Sequence, residues 1–272
     1  MGEFFSLESG RGRDGDSKYA WEKGASLGKT CVVGKLIADH LVSKEIIRTT
    51  LLWGWKPTVT PSFKVLGDNL FLVDFGDERD KQRVLKRRPW FFEGNLFVVE
   101  DYDGLTTPTN FLFDKAAFWI RMSNLPLTCM SLIVGQQIGS SMGHVEEVDV
   151  DDSGMGWGEY LRVKINLDLR KPLMKGRMLK INGSSTLVSF QYERLPKFCF
   201  RCGVIKHWVM GCSVRSEARK QHAPSEFGPR LCVVVSPKRD FGGRIGQVPE
   251  RRDHYQHQYD NMGDFGGYEY GR

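Results

Sequence analysis

Apolar positions along the chain fall into two patterned stretches. The first begins at Cys31. CVVGKLIA (31–38) is a β-branched run of strand length, and SKEIIRTTLLWGW (43–55) sets apolar residues at helical spacing behind Ser43, a natural N-cap residue. SFKVLGDN (62–69) and LFLVDFGD (70–77) predict two strands joined through a Gly67-Asp68-Asn69 turn. DERDKQRVLKRR (77–88) has acids in its first turn and bases in its last, which suits a helix dipole, and NLFVVEDY (95–102) predicts a closing strand. The order βαββαβ over residues 30–104 is that of an RRM-like, ferredoxin-type domain. Along its third strand Phe71, Val73 and Phe75 alternate onto the helix side. Leu70 and Leu72 face the other way, where an RNA-binding sheet shows aromatics, so this face is expected to meet protein, either the second unit or another copy of the chain.

The second stretch repeats the scheme with fewer helices. AAFWIRMSNLP (116–126) predicts a strand ending in a proline turn, and LTCMSLIVGQQIGSSMG (127–143) a helix closed by Gly143. HVEEVDVD (144–151), EYLRVKINLDL (159–169), GRMLKI (176–181) and TLVSFQYERL (186–195) alternate as strands. Residues 111–196 thus predict a second unit, one helix on a mostly antiparallel sheet, and the fold class is α+β. Elsewhere the apolar period fades. Residues 1–29 predict a disordered leader, and residues 214–272, which contain Gly, Arg, Tyr and Pro, a disordered tail. Within the leader, GASLGKT (24–30) imitates a phosphate-binding loop, but its glycines are one residue too close and a strand follows where a helix is needed. It reads as a linker.

Between the second unit and the tail, at 197–213, the sequence contains CFRCGVIKHWVMGC (199–212). Its spacing, C-x2-C-x4-H-x4-C, offers three soft thiolates and one imidazole: Cys199, Cys202, His207 and Cys212. Such a set suits a closed, tetrahedral zinc site with no open catalytic position. Cys31, Cys129 and Cys232 are scattered and form no disulfide framework, which points to a reducing, intracellular compartment, nucleus or cytoplasm. No apolar run approaches the roughly 18–20 residues that span a bilayer, so no membrane partner is expected.

Charge sharpens this picture. The 272 residues carry a net +6, and residues 194–220 hold Arg194, Lys197, Arg201, Lys206, Arg215, Arg219 and Lys220 against one acid, Glu217. The positive field is centred on the metal site, as a polyanion such as nucleic acid would require. Lys81, Arg83, Lys86, Arg87 and Arg88 on the second helix are further candidate phosphate contacts, or a solvated face.

VGKLIADHLVSKEIIRTTLLWGWKP, LGDNLFLVDFGDERDKQRVLKRRPWFFEGNLFVVE, FWIRMSNLP, GEYLRVKINLDLRKPL and FQYERLPKFCFRCG, in that order over residues 30–212, resemble the plant domain-of-unknown-function family 4283 with its C-terminal CCHC knuckle. That family occurs in the first open reading frame of LINE-type non-LTR retrotransposons and in derived host genes. The resemblance implies an RRM-like region and a zinc knuckle acting in a ribonucleoprotein particle on single-stranded RNA or DNA. It also places Phe200 and Trp208 on a base-stacking platform, with phosphate contacts from Arg201, Lys206 and the flanking Lys197, Arg215, Arg219 and Lys220. One departure is Lys206, where such knuckles usually have glycine before the histidine. A rival reading is a Gag-like assembly module in which knuckle and sheet dock protein, including self-association. No catalytic motif is present, the acids of EEVDVDD (146–152) alternate between strand faces, and the chain is not expected to be an enzyme.

Overall fold

Alternation of side chains decides the first sheet. The computed structural model describes residues 28–181, 183–205, 212 and 227–233, which divide into two units between Ala116 and Ala117. The first contains β1 (Cys31–Leu36), α1 (Lys44–Trp55), β2 (Ser62–Gly67), β3 (Leu70–Asp74), α2 (Glu78–Lys86), β4 (Trp90–Phe92) and β5 (Asn95–Asp101). Its strands pair antiparallel in the order β2-β3-β1-β5-β4. Val32, Leu36, Phe71, Val73, Phe97 and Val99 point to one side, where they meet Ile47, Leu51 and Trp55 of α1 and Val84 and Leu85 of α2. Trp55 is the hub: the rings of Phe63, Phe75, Trp90 and Phe97 lie 5.3–6.3 Å from its own. Leu70 and Leu72 project from the opposite face, as their alternation predicts.

Two features depart from the sequence-based scheme. The edge strand β4 is additional. It forms because Glu93 and Gly94 both take positive φ, 49° and 75°, and close a two-residue hairpin that pairs Trp90–Phe92 with β5. The bases of α2 are also largely structural. Lys81, 3% exposed, donates to the Gly28 carbonyl at 2.5 Å and meets Asp101 at 2.6 Å, and Arg83 meets Asp80 at 2.7 Å. Arg88 donates to the carbonyls of Leu85 and Val99, so of this group only Lys86 and Arg87 remain exposed.

The second unit contains β6 (Lys115–Ser123), α3 (Leu132–Ser140), β7 (His144–Asp149), β8 (Tyr160–Asp168), β9 (Gly176–Ile181) and β10 (Ser184–Tyr192). The predicted helix over 127–143 is split into a 3-10 turn at Leu127–Cys129 and α3, because the Ser131 hydroxyl accepts from the Val134 amide and starts a new helix there. α3 lies tight on β7 and β8; a Cβ at Gly139 would come within 2.6 Å of Val145. The strand order, β7-β8-β6-β10-β9, reproduces that of the first unit strand for strand. The difference lies in the link after the third strand. Where the first unit has α2, the second has residues 169–175, with no helix but with Leu169 and Leu173 buried.

The tail differs from expectation in one place. Phe227 and Leu231 are buried around a 3-10 turn at Pro229–Leu231, and the Val233 amide donates to the Tyr192 carbonyl at 3.0 Å. A Gly-Pro turn lets two apolar side chains reach the end of β10 without any periodic pattern. The rest of the predicted tail, and residues 1–27 of the predicted leader, lie outside the described residues.

On the face of the second sheet away from α3, Glu193 accepts from Arg121 at 2.8 Å and from Arg162 at 2.9 and 3.0 Å. Burial alone would raise the Glu193 pKa, but hydrogen bonds from Arg162 and Arg121 outweigh it and hold the carboxyl below its ordinary value. A depressed acid stabilises the fold above its unfolded pKa and ceases to as pH falls through its folded value. The second unit should therefore lose stability below about pH 4, and Glu193→Gln should flatten that acid limb in urea titrations repeated across pH. In the first unit, Trp55→Ala should cost about 3–5 kcal/mol in urea denaturation; a loss under about 1 kcal/mol would contradict its place as hub.

Candidate metal centre and nucleic-acid interface

β10 delivers the chain directly to the cysteines. Leu195, Pro196 and Phe198 are buried after it, and Cys199 opens a tight loop. The Cys199 amide donates to the Val204 carbonyl at 3.0 Å, and the Gly203 amide donates back to the Cys199 carbonyl at 2.7 Å. Gly203 sits at φ 73°, and a Cβ there would lie 2.5 Å from the Phe227 ring, so both backbone and space require glycine. The loop turns the sulfurs inward: Sγ of Cys199, Cys202 and Cys212 lie within 4.8 Å of one another. Zn–S bonds of about 2.3 Å would set them about 3.8 Å apart in a tetrahedron, so a small contraction around a zinc ion completes the geometry. His207, the expected fourth ligand, lies outside the described residues.

Cys199 and Cys202 are not equivalent. Burial raises the Cys199 pKa, but amide hydrogen bonds from Cys202 and Arg201 and the neighbouring thiols outweigh it and leave Cys199 below the ordinary thiol value. Burial pushes Cys202 up, and the neighbouring Cys199 adds to the rise. A metal entering the site would meet a more easily ionised thiol at Cys199 than at Cys202.

The loop is also clamped to the sheet behind it. The Leu173 amide donates to the Gly203 carbonyl at 2.9 Å, and the Phe227 amide donates to the Phe200 carbonyl at 2.9 Å. Lys175 Nζ lies 4.9 Å over the Phe227 ring, and the Tyr192 hydroxyl donates to the Met174 carbonyl at 2.8 Å. Ile205 is buried and lines a small cavity with Leu167, Leu173 and Tyr192. The knuckle therefore stands on β10 and on the link that replaces a helix, not on a free tether.

Of the predicted nucleic-acid contacts, Phe200 is partly exposed and packs against the buried Phe198 with ring centroids 4.9 Å apart. Arg201 is exposed and Lys197 partly so. Lys206, Trp208, Arg215, Arg219 and Lys220 lie outside the described residues. Sequence reasoning missed the buttress formed by Leu173, Lys175, Phe227 and Leu231. The signal for its last part was there in FGPRLC (227–232), apolar residues either side of a Gly-Pro turn. The acids Glu146 and Asp149 lie on edge strand β7 and pair with Lys164 at 3.2 Å and Arg162 at 3.4 Å.

Comparison with known families agrees with this division. Residues 24–110 match the family described as Domain of unknown function (DUF4283), and residues 167–214 match the family described as Zinc knuckle. The knuckle match starts well before Cys199 and takes in the β9–β10 hairpin on which the metal loop is clamped. A curated relative, Uncharacterized protein At4g02000 of Arabidopsis thaliana, is 28% identical over 137 residues, which is half of this chain. The chain spans less than half, 43%, of that relative's length. No helix among the described residues is long and apolar enough to cross a membrane.

Zinc-loaded protein should contain one zinc per chain by atomic absorption, and Cys202→Ser should abolish retention, because removing one thiolate opens the set. Phe227→Ala should leave the stoichiometry intact but speed zinc loss to a chelator severalfold. An unchanged release rate would show that the clamp contributes nothing to the metal site.

Proposed function

We propose that this protein is a zinc-dependent binder of single-stranded nucleic acid, with RNA as its preferred strand, acting as a component of a retrotransposon-type ribonucleoprotein. The observation that carries the reading is the convergence of three thiols on a clamped loop at the centre of a basic segment. Zinc would hold the loop rigid. Its chemistry there is structural, since four protein ligands leave no position for substrate. Phe200 would then offer a ring face to an unstacked base, with Trp208 as a second stacking residue. Arg201, Lys197 and the bases at 206–220 would neutralise phosphates on either side.

The face of the first sheet away from its helices has leucines at 70 and 72 and is already largely covered there, with Cys31 and Val33 fully buried and Leu70 6% exposed, which leaves the strand to the knuckle. No step of this scheme requires catalysis.

Anisotropy titrations with matched RNA, single-stranded DNA and duplex oligonucleotides at several salt concentrations test the reading. Single strands should bind with a log–log salt slope of a few units. Trp208→Ala, with zinc retained, should weaken binding by about 1–3 kcal/mol at constant slope, because it removes a stacking face and no charge. Arg215→Ala with Arg219→Ala should make the slope shallower instead. Preference for duplex, or full affinity in Trp208→Ala, would turn the reading toward protein docking.

A further inference from the structure

The two sheets share one strand order but present different chemistry on the face away from their helices. In the first unit the central strands β1 and β3 show Cys31, Val33, Leu70 and Leu72 there. In the second, the corresponding strands are β6 and β8. Phe118, Ile120 and Met122 of β6 are fully buried, as are Leu161, Val163 and Ile165 of β8, three residues that lie against α3. The alternate positions, all partly exposed, are therefore Trp119 and Arg121 on β6 and Tyr160 and Arg162 on β8.

These four side chains interlock across the strand pair. The Arg162 guanidinium lies 3.8 Å over the Trp119 ring, and the Arg121 guanidinium lies 4.3 Å over the Tyr160 ring. Glu193, at the end of β10, binds both arginines and fixes their planes against the rings. Solvation alone does not need this arrangement, since a wet sheet face is satisfied by any polar side chains. The result is a patch of flat, preoriented π and guanidinium surfaces, the two surfaces on which single-stranded bases stack.

Charge tells where a strand would run. On this face Arg121, Arg162 and Lys164 meet Glu193, Asp149 and Glu146, so the face is close to neutral. On the β7 side Tyr160 and Arg162 also line a groove beside Trp157 in which Asp151 and Glu159 add acidic charge. Phosphates are unwelcome there. In the other direction Glu193 is six residues from Cys199, at the start of the basic segment; Ile205 of the metal loop packs with Leu167 and Tyr192 on the helix side of the sheet, so a strand serving both sites passes around the end of β10.

We propose that the open face of the second sheet, built on Trp119, Arg121, Tyr160 and Arg162, is a base-stacking platform that shares one nucleic-acid strand with the knuckle. It rests on the single-strand reading above and adds a second site to it, lying outside the residues matched by either family except for its last part. Because the face is neutral, its contribution is insensitive to salt, unlike that of the basic flank.

The zinc-loaded full chain is irradiated with a twelve-nucleotide 4-thiouridine oligomer, and crosslinks are mapped by mass spectrometry. Adducts within 115–123 or 160–168, besides those in the knuckle, are expected. Adducts in the knuckle alone would overturn the platform and leave the single-strand reading standing, whereas no adduct and no binding would sink both. Trp119→Ala and Arg162→Lys, the latter keeping charge but losing the plane, are then compared on five- and twelve-nucleotide strands. Each should weaken the longer strand about tenfold at low and high salt alike and leave the shorter unchanged. Equal loss on both lengths, or full affinity with the face protected by self-association, would assign these residues to packing or protein contact and overturn the proposal.

Discussion

The knuckle depends on a clamp at the end of β10. A loop of four metal ligands has almost no interior, and its order must come from the ion, from its surroundings, or from both. Here the Gly203 carbonyl is held by Leu173, the Phe200 carbonyl is held by Phe227, and the Phe227 ring fills the space that a side chain at residue 203 would need. The loop carrying Cys199 and Cys202 is held on one side by the 169–175 link and on the other by the Phe227 segment. Metal affinity and the folding of the second sheet are consequently linked, since each hydrogen bond across the clamp is lost if either partner is disordered.

The clamp exists because the second unit lacks a helix where the first has one. Between β3 and β4, α2 contributes Val84 and Leu85 to the core and uses Lys81 to tie the start of the unit to its end. Between β8 and β9 the chain runs through residues 169–175 without a helix, and the amide of the buried Leu173 bonds to the metal loop instead. One topology thus appears twice with different use. The first copy closes its core with two helices around Trp55, and the second closes part of its core with the knuckle and the Phe227–Val233 segment.

The faces away from the helices diverge in the same way. Strand order constrains only which residues are neighbours, and it leaves the outward positions free to vary. β1 and β3 carry aliphatic side chains there, while β6 and β8 carry two aromatic–guanidinium pairs joined by Glu193. A match to an RRM-like order in the first unit therefore carries no information about which sheet has surfaces suited to bases.

The sequence by itself determined most of the elements and singled out the candidate metal ligands. Period-two and period-3.6 patterns place β1, α1, β2, β3, α2 and β5 to within a few residues, because local burial imposes those periods wherever an element has one wet face. The C-x2-C-x4-H-x4-C spacing is equally local, and three of its four residues converge in space. Tertiary structure alone decided the rest. β4 is three residues long and needed a positive-φ hairpin at Glu93-Gly94, a signal too short for any period. Lys81 and Arg83 look like a solvated basic face until their carboxylate and carbonyl partners, distant in sequence or one turn away, are brought beside them. Phe227 and Leu231 flank a Gly-Pro turn but carry no periodic pattern, and they become core only because the end of β10 is there to receive them. The Glu193 network joins residues 31 to 72 positions apart. Contacts at such separations are created by strand pairing, and no local property of Trp119, Arg121, Tyr160 or Arg162 announces them.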